Sequence, residues 1–232
     1  MKQFYLIGLA ALAGWLLPAC DSGDIYPEDI RKNDKTITAG FTVTGLRALP
    51  VQNQFVLAAY HEGSDVPVIT QAITPPEAGQ TFQVTLQYVP DDATEVTVSI
   101  LGKTWRTIYD FYSGSIPEGK AVTIPAQTID LLTYDRVQHQ VFSQCIQCHG
   151  GSNFAAAGLY LTEEKSYAAL VGRQAVHSGK LLVEPGVASS SALIDVLEGT
   201  LELATDHTTI SSLKEEDIDL LKAWIDEGAG NQ

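Results

Sequence analysis

Cys145-Ile146-Gln147-Cys148-His149 is the stretch on which the reading of this chain turns. Two cysteines three positions apart, followed directly by histidine, form the attachment signature of c-type haem. On a helix, Cys148 and His149 fall three and four residues after Cys145 and share its face. Both thiols can then reach the two vinyl groups on one edge of a porphyrin while the imidazole lies beneath the ring. Thioether bonds hold such a group permanently, and His149 becomes its proximal ligand. One covalent haem c is therefore the first expectation.

The rest of the composition constrains what surrounds that motif. The chain has 232 residues, room for one large or two modest domains. Its formal net charge of −14 argues against nucleic acid and anionic membrane surfaces as partners. Of the three cysteines, Cys145 and Cys148 belong to the motif and Cys20 stands alone, so none remains for a structural disulfide. The single methionine is Met1, which leaves no thioether side chain for iron further along the chain.

Residues 1–19 read as an export signal. Lys2 supplies the positive start, and Phe4 to Leu17 form an apolar run too short to span a membrane comfortably. The run ends in Leu17-Pro18-Ala19-Cys20, which resembles the lipobox of bacterial lipoproteins. That resemblance implies a lipid on Cys20, an extracytoplasmic location and an anchor in a bacterial membrane. The rival reading is an ordinary signal peptide with a chance cysteine. Residues 20–35 are polar and acidic and read as a tether.

From 36 to 128 the texture changes to short alternating runs rich in Val, Ile, Thr and aromatics. Strands are expected at Thr36–Thr44, Gln54–His61, Pro67–Ile73, Thr81–Tyr88, Glu95–Leu101, Thr104–Phe111 and Ala121–Ala126. Seven strands at this spacing point to an all-β, immunoglobulin-like sandwich. Trp105 and Tyr109 are expected to pack in or against its sheets, and His61 beside Glu62 to be a surface pair.

After 133 the period becomes helical. Tyr134, Val137, Val141, Phe142 and Cys145 recur at three- and four-residue steps, predicting one amphipathic helix that runs into the motif and stops at Gly150-Gly151. Short helices are expected from Thr162 to about Val171 and from Ser189 to Leu197. A last helix is expected behind a capping box at Ser212-Leu213-Lys214-Glu215, with Ile218, Leu221, Trp224 and Ile225 as its apolar stripe.

Several of these segments, taken in order, resemble a planctomycete-type cytochrome c domain. They are Val141 through Gly150, Gly158-Leu159-Tyr160-Leu161, Glu184-Pro185-Gly186, Ser191-Ala192-Leu193 and Asp219 through Ala229. The resemblance covers residues 134–230 and implies an all-α, class I-like fold with one haem. It implies that Val141 and Phe142 pack against Leu221, Trp224 and Ile225, and that Pro185 offers its carbonyl to His149. The family supplies its second axial ligand as methionine shortly before the last helix. Here Asp206-His207-Thr208-Thr209 stands in that place, so His207 is the expected distal ligand. His177 and an open position are the alternatives.

Two other readings of the motif are weaker. A zinc site needs four protein ligands, and one Cys-x-x-Cys with scattered histidines is incomplete. A thioredoxin-like redox pair needs a βαβ setting that the pattern lacks. The expected function is one-electron transfer to unidentified redox partner proteins, with no catalytic constellation. A surface binding protein acting through its sandwich, or a haem-based gas or redox sensor, are the competing classes.

Overall fold

A computed structural model describes residues 34–151 and 153–232. Seven strands form among them: β1 Lys35–Thr44, β2 Gln54–His61, β3 Ile69–Ala72, β4 Thr81–Val89, β5 Ala93–Leu101, β6 Thr107–Ser115 and β7 Ala121–Asp130. They build a three-stranded sheet of order β4-β1-β7 and a four-stranded sheet of order β3-β2-β5-β6. All neighbours are antiparallel except β1 and β7, which run parallel from Thr36↔Ala121 to Thr44↔Asp130. β1 shows why it is a strand: Ile37, Ala39, Phe41 and Val43 are fully buried and the threonines and glycine between them are not.

Several strand details differ from expectation. β6 begins three residues late because Gly102 to Arg106 form the turn, closed by the Gly102 amide on the Arg106 carbonyl at 2.9 Å. Trp105 therefore sits in a turn, in the left-handed region at φ 62 and 46% exposed, not within a sheet. β7 runs on past Ala126, because its register on β1 slips between Ala39 and Phe41 and absorbs Pro125. His61 pairs with Asp92, 3.5 Å away, instead of Glu62.

The expected division into an all-β domain and an all-α cytochrome c fold is corrected by the structure. Residues 134–232 hold six α-helices: α1 Tyr134–Gln140, α2 Ile146–His149, α3 Ser166–Leu170, α4 Ala192–Leu197, α5 His207–Ile210 and α6 Glu215–Asp226. Five of them span seven residues or fewer, and single β-bridges join Val171 to Val183 and Gln174 to Leu181. Glycines at 150, 151, 158, 172, 179, 186 and 199 interrupt this half too often for long helices. The described residues make one mixed α and β unit in which one buried core runs from Ile37 in β1 to Ile225 in α6.

The seam between sheets and helices is itself core. Leu131, Val137, Val141, Phe142, Leu221, Trp224 and Ile225 are each at most 1% exposed. Burial of each such side chain contributes about 2 kcal/mol, far more than a flexible linker offers. Tyr134 packs on Trp224 and Phe142 at 5.2 and 6.2 Å between ring centres. Arg47 adds ion pairs to Glu227 at 3.1 Å and Asp226 at 3.5 Å. α6 starts two residues later than expected: its first turn is closed by the Lys214 amide donating to the Asp217 carboxylate at 2.9 Å, while Ser212 reaches Gln144 instead. Among the described residues no helix is long and apolar enough to cross a membrane.

Candidate functional site

Thr133 opens α1 by accepting the Arg136 amide at 3.3 Å. The helix does not run on to Cys145 as the periodicity predicts. The Ser143 hydroxyl donates to the His139 carbonyl, and the Gln144 amide group donates to the Gln140 carbonyl at 2.7 Å. Such back-bonding bends a helix. The backbone tightens into a 3-10 turn at Phe142–Gln144, with Gln144 and Cys145 bonding three residues back. α2 then starts afresh. The Cys148 and His149 amides both bond the Cys145 carbonyl, at 3.2 and 3.0 Å. One turn therefore carries all three residues, as their spacing predicts.

Gly150 and Gly151 let the chain double back over that turn. A Cβ on Gly150 would strike the Ile146 carbonyl, and one on Gly151 the Phe154 carbonyl. The returning segment is anchored in the core. The Leu161 amide donates to the His149 carbonyl at 2.8 Å, and the Leu161 carbonyl accepts the Gln138 side chain at 3.0 Å. Gln138 in turn accepts from the Ser166 hydroxyl at 2.6 Å, which lies 2.5 Å from the Tyr134 hydroxyl. Burial pushes the Tyr134 phenol up to about 12, so this network stays neutral.

That anchored return places the Leu159 carbonyl 3.0 Å from His149 Nδ1. The expected partner was the Pro185 carbonyl; Leu159 fills the role. A carbonyl only accepts, so Nδ1 carries the proton and Nε2 keeps its lone pair for a metal. Sequence reasoning missed Leu159 because the group that matters belongs to the backbone and leaves no mark on residue type.

His207 is the first residue of α5. Asp206 caps that turn, accepting the Thr208 amide at 2.9 Å and the Thr208 hydroxyl at 2.7 Å. Those bonds hold the Asp206 carboxyl below its ordinary value. His207 Nδ1 lies 3.0 Å from the Thr205 carbonyl. Its Nε2 is therefore left free by the same logic. The His149 and His207 rings stand 6.3 Å apart between centres and 29° from parallel. His177 stays exposed in its loop, and His139 packs on Tyr109 at 5.9 Å.

These residues fit a haem. A metal–imidazole bond of about 2 Å, plus roughly 1 Å to the ring centre, puts two trans imidazoles on one metal about 6 Å apart. The observed spacing matches. Cys145 is half-buried and Cys148 exposed, and three exposed apolar side chains, Ile146, Phe154 and Ile210, flank the two histidine segments. Zinc fits less well. Among the described residues no group of three or more His, Cys, Asp or Glu side chains converges on a metal position, whereas a porphyrin asks the protein for two axial ligands only.

The two thiols differ. Burial, and then the neighbouring Cys148 sulfur, push the Cys145 thiol up, and Cys145 Sγ lies 3.6 Å from the Val141 carbonyl. At a given pH Cys145 holds less thiolate, the reactive form. In haem-free protein, iodoacetamide is expected to label Cys148 several-fold faster than Cys145, read by fragment mass spectrometry. Equal labelling at both positions contradicts the burial described.

Cys20, the expected signal and residues 20–33 of the expected tether lie outside the described residues. No family model, no curated protein and no solved structure matches the chain.

Proposed function

We propose that this protein is a lipid-anchored, extracytoplasmic c-type haem protein that transfers one electron at a time. Cys145 and Cys148 would hold the group through their sulfurs, and His149 and His207 would bind its iron. The observation that supports the reading is the pair of histidine rings with centres 6.3 Å apart and planes 29° from parallel, each with Nδ1 engaged by a backbone carbonyl. Bound haem supplies a one-electron couple. The protein's part is to keep both imidazoles oriented through Leu159 and Thr205, so that little reorganises when charge changes. With imidazole from His149 and His207 and no methionine after Met1, bound haem would have a reduction potential below that of a Met/His site.

The purified protein is expected to carry one haem and a six-coordinate, low-spin ferric spectrum. His207→Ala is expected to convert the spectrum to high-spin and to admit carbon monoxide in the reduced state. His177→Ala is expected to change neither. A low-spin spectrum that survives His207→Ala overturns the ligand assignment, and one lost in His177→Ala reassigns it. Resistance of the wild-type protein to carbon monoxide separates a carrier from a gas sensor.

A further inference from the structure

The two axial histidines are held very differently. His149 is tied to the core through Leu159, Leu161 and Gln138. α5 buries none of its own residues, and Ile210 at its end is 59% exposed. Apart from the turn's own bonds, one close approach stands out. Gly199, just after α4, has φ +71, and a Cβ built on it would lie 2.9 Å from Thr208 Cγ2. Beyond the glycine and its two chain neighbours, no other heavy atom comes within 4 Å of that position. The Thr208 methyl thus sits where any other residue at 199 would place its side chain. The hydroxyl of the same threonine is fixed on Asp206 at 2.7 Å.

We propose that Thr208 and Gly199 form a seat that positions the distal ligand: the threonine's hydroxyl locks the turn that carries His207, and its methyl docks that turn against the end of α4. This rests on the bis-histidine reading and adds positioning residues to it. Neither residue touches the iron. They fix where the α5 turn lies, and so whether His207 Nε2 stands opposite His149. The seat is steric and specific to one methyl group, which makes it separable from general stability. A side chain at 199 displaces the turn. Shortening threonine to serine removes the obstructing carbon and keeps the hydroxyl on Asp206.

The test compares haem-loaded wild type, Gly199→Ala, Thr208→Ser and the double variant. Gly199→Ala is expected to shift the bound-to-released equilibrium of His207 by roughly tenfold through the clash with Thr208, seen as a high-spin fraction in the ferric spectrum and faster carbon monoxide binding. Haem content and far-ultraviolet circular dichroism stay as in wild type. Thr208→Ser alone keeps the hydroxyl on Asp206 and loses the docking methyl, so it is expected to show a high-spin fraction smaller than that of Gly199→Ala. The double variant is expected to return toward low-spin, although the alanine keeps its left-handed strain. Left-handed strain alone cannot account for that rescue, because both variants carry the same strain and differ only in the clashing methyl. A fully low-spin Gly199→Ala, or a double variant as high-spin as Gly199→Ala, overturns the proposal. A wild-type protein without covalent haem overturns the functional reading beneath it, which haem staining reports before any variant is made.

Discussion

Replacing Cys145 and Cys148 together by alanine is expected to abolish covalent haem: the protein band on a denaturing gel loses its haem stain, and the intact mass falls by one haem plus the two sulfurs. Each single variant is expected to keep haem through the remaining sulfur. The loss is all-or-none because a thioether survives denaturation and an axial bond does not. The imidazoles remain in the double variant. Leu159 still holds His149, and the Asp206 cap still holds α5. Haem added to the folded double variant is therefore expected to bind reversibly and give the same low-spin spectrum. Covalent haem persisting without either sulfur, or its absence in the wild type made alongside haem-attachment machinery, sinks the reading of the motif. A zinc site predicts the opposite pattern, with metal lost in each single variant and no visible band in any.

How far the sequence carried the fold depends on the range of the interactions. Strand positions were legible because alternation is local: Ile37, Ala39, Phe41 and Val43 in β1 declare a buried face without reference to a partner. The ends of β6 and β7 were not, because they are set by pairing. The sixth strand was expected to stop at Phe111, but Ser113 to Ser115 stay in it because Glu95 to Thr97 pair beside them. Helical periodicity from Tyr134 to Cys145 was real, and its apolar positions are buried. It said nothing of Ser143 and Gln144 bonding back to the preceding turn. The division into separate sandwich and all-α domains failed for the same reason. A change of period at 133 marks a change of element, but whether two elements share a core is decided by contacts such as Tyr134 on Trp224.

The site shows the same contrast. Cys145, Cys148 and His149 announce themselves through spacing, which one helical turn converts directly into geometry. His207 was expected from the resemblance, which implies a second ligand just before the last helix in a chain whose single methionine is Met1, and its ring centre lies 6.3 Å from that of His149. Leu159, Gly199 and Thr208 were not. The first acts through its carbonyl, and the other two through a contact between segments nine residues apart.

Arg136→Met is expected to lower stability by about 3 kcal/mol and the melting temperature by roughly 10 °C. The guanidinium is 3% exposed. Its Nη1 donates to the Ala48 carbonyl at 2.9 Å and the Leu131 carbonyl at 2.7 Å, Nε donates to Gln140, and the Phe111 ring lies 5.7 Å beneath it. It thereby joins the turn after β1, the end of β7 and α1. Burial draws its pKa down to about 10, with Tyr109, Glu216 and Asp217 opposing that shift. A base whose folded value lies below its unfolded value costs stability while charged. That cost is present throughout the neutral range and is relieved only as pH rises from about 10 toward the ordinary arginine value. Met removes the cost, but it cannot remove the two backbone carbonyls, and each buried acceptor left without a donor costs about 1–3 kcal/mol. Orphaned partners decide the sign, in contrast to a buried pair replaced whole, which is often neutral. Arg136→Lys is expected to recover part of the loss, because one ammonium can reach one or two of the three acceptors. Thermal unfolding by circular dichroism checks the midpoint, and the haem spectrum below it checks the site. The spectrum is expected to be unchanged, since Leu159 and the α5 cap are untouched. A Met variant within 1 kcal/mol of wild type would show that the seam core between α1 and α6 holds sheets and helices together without the arginine.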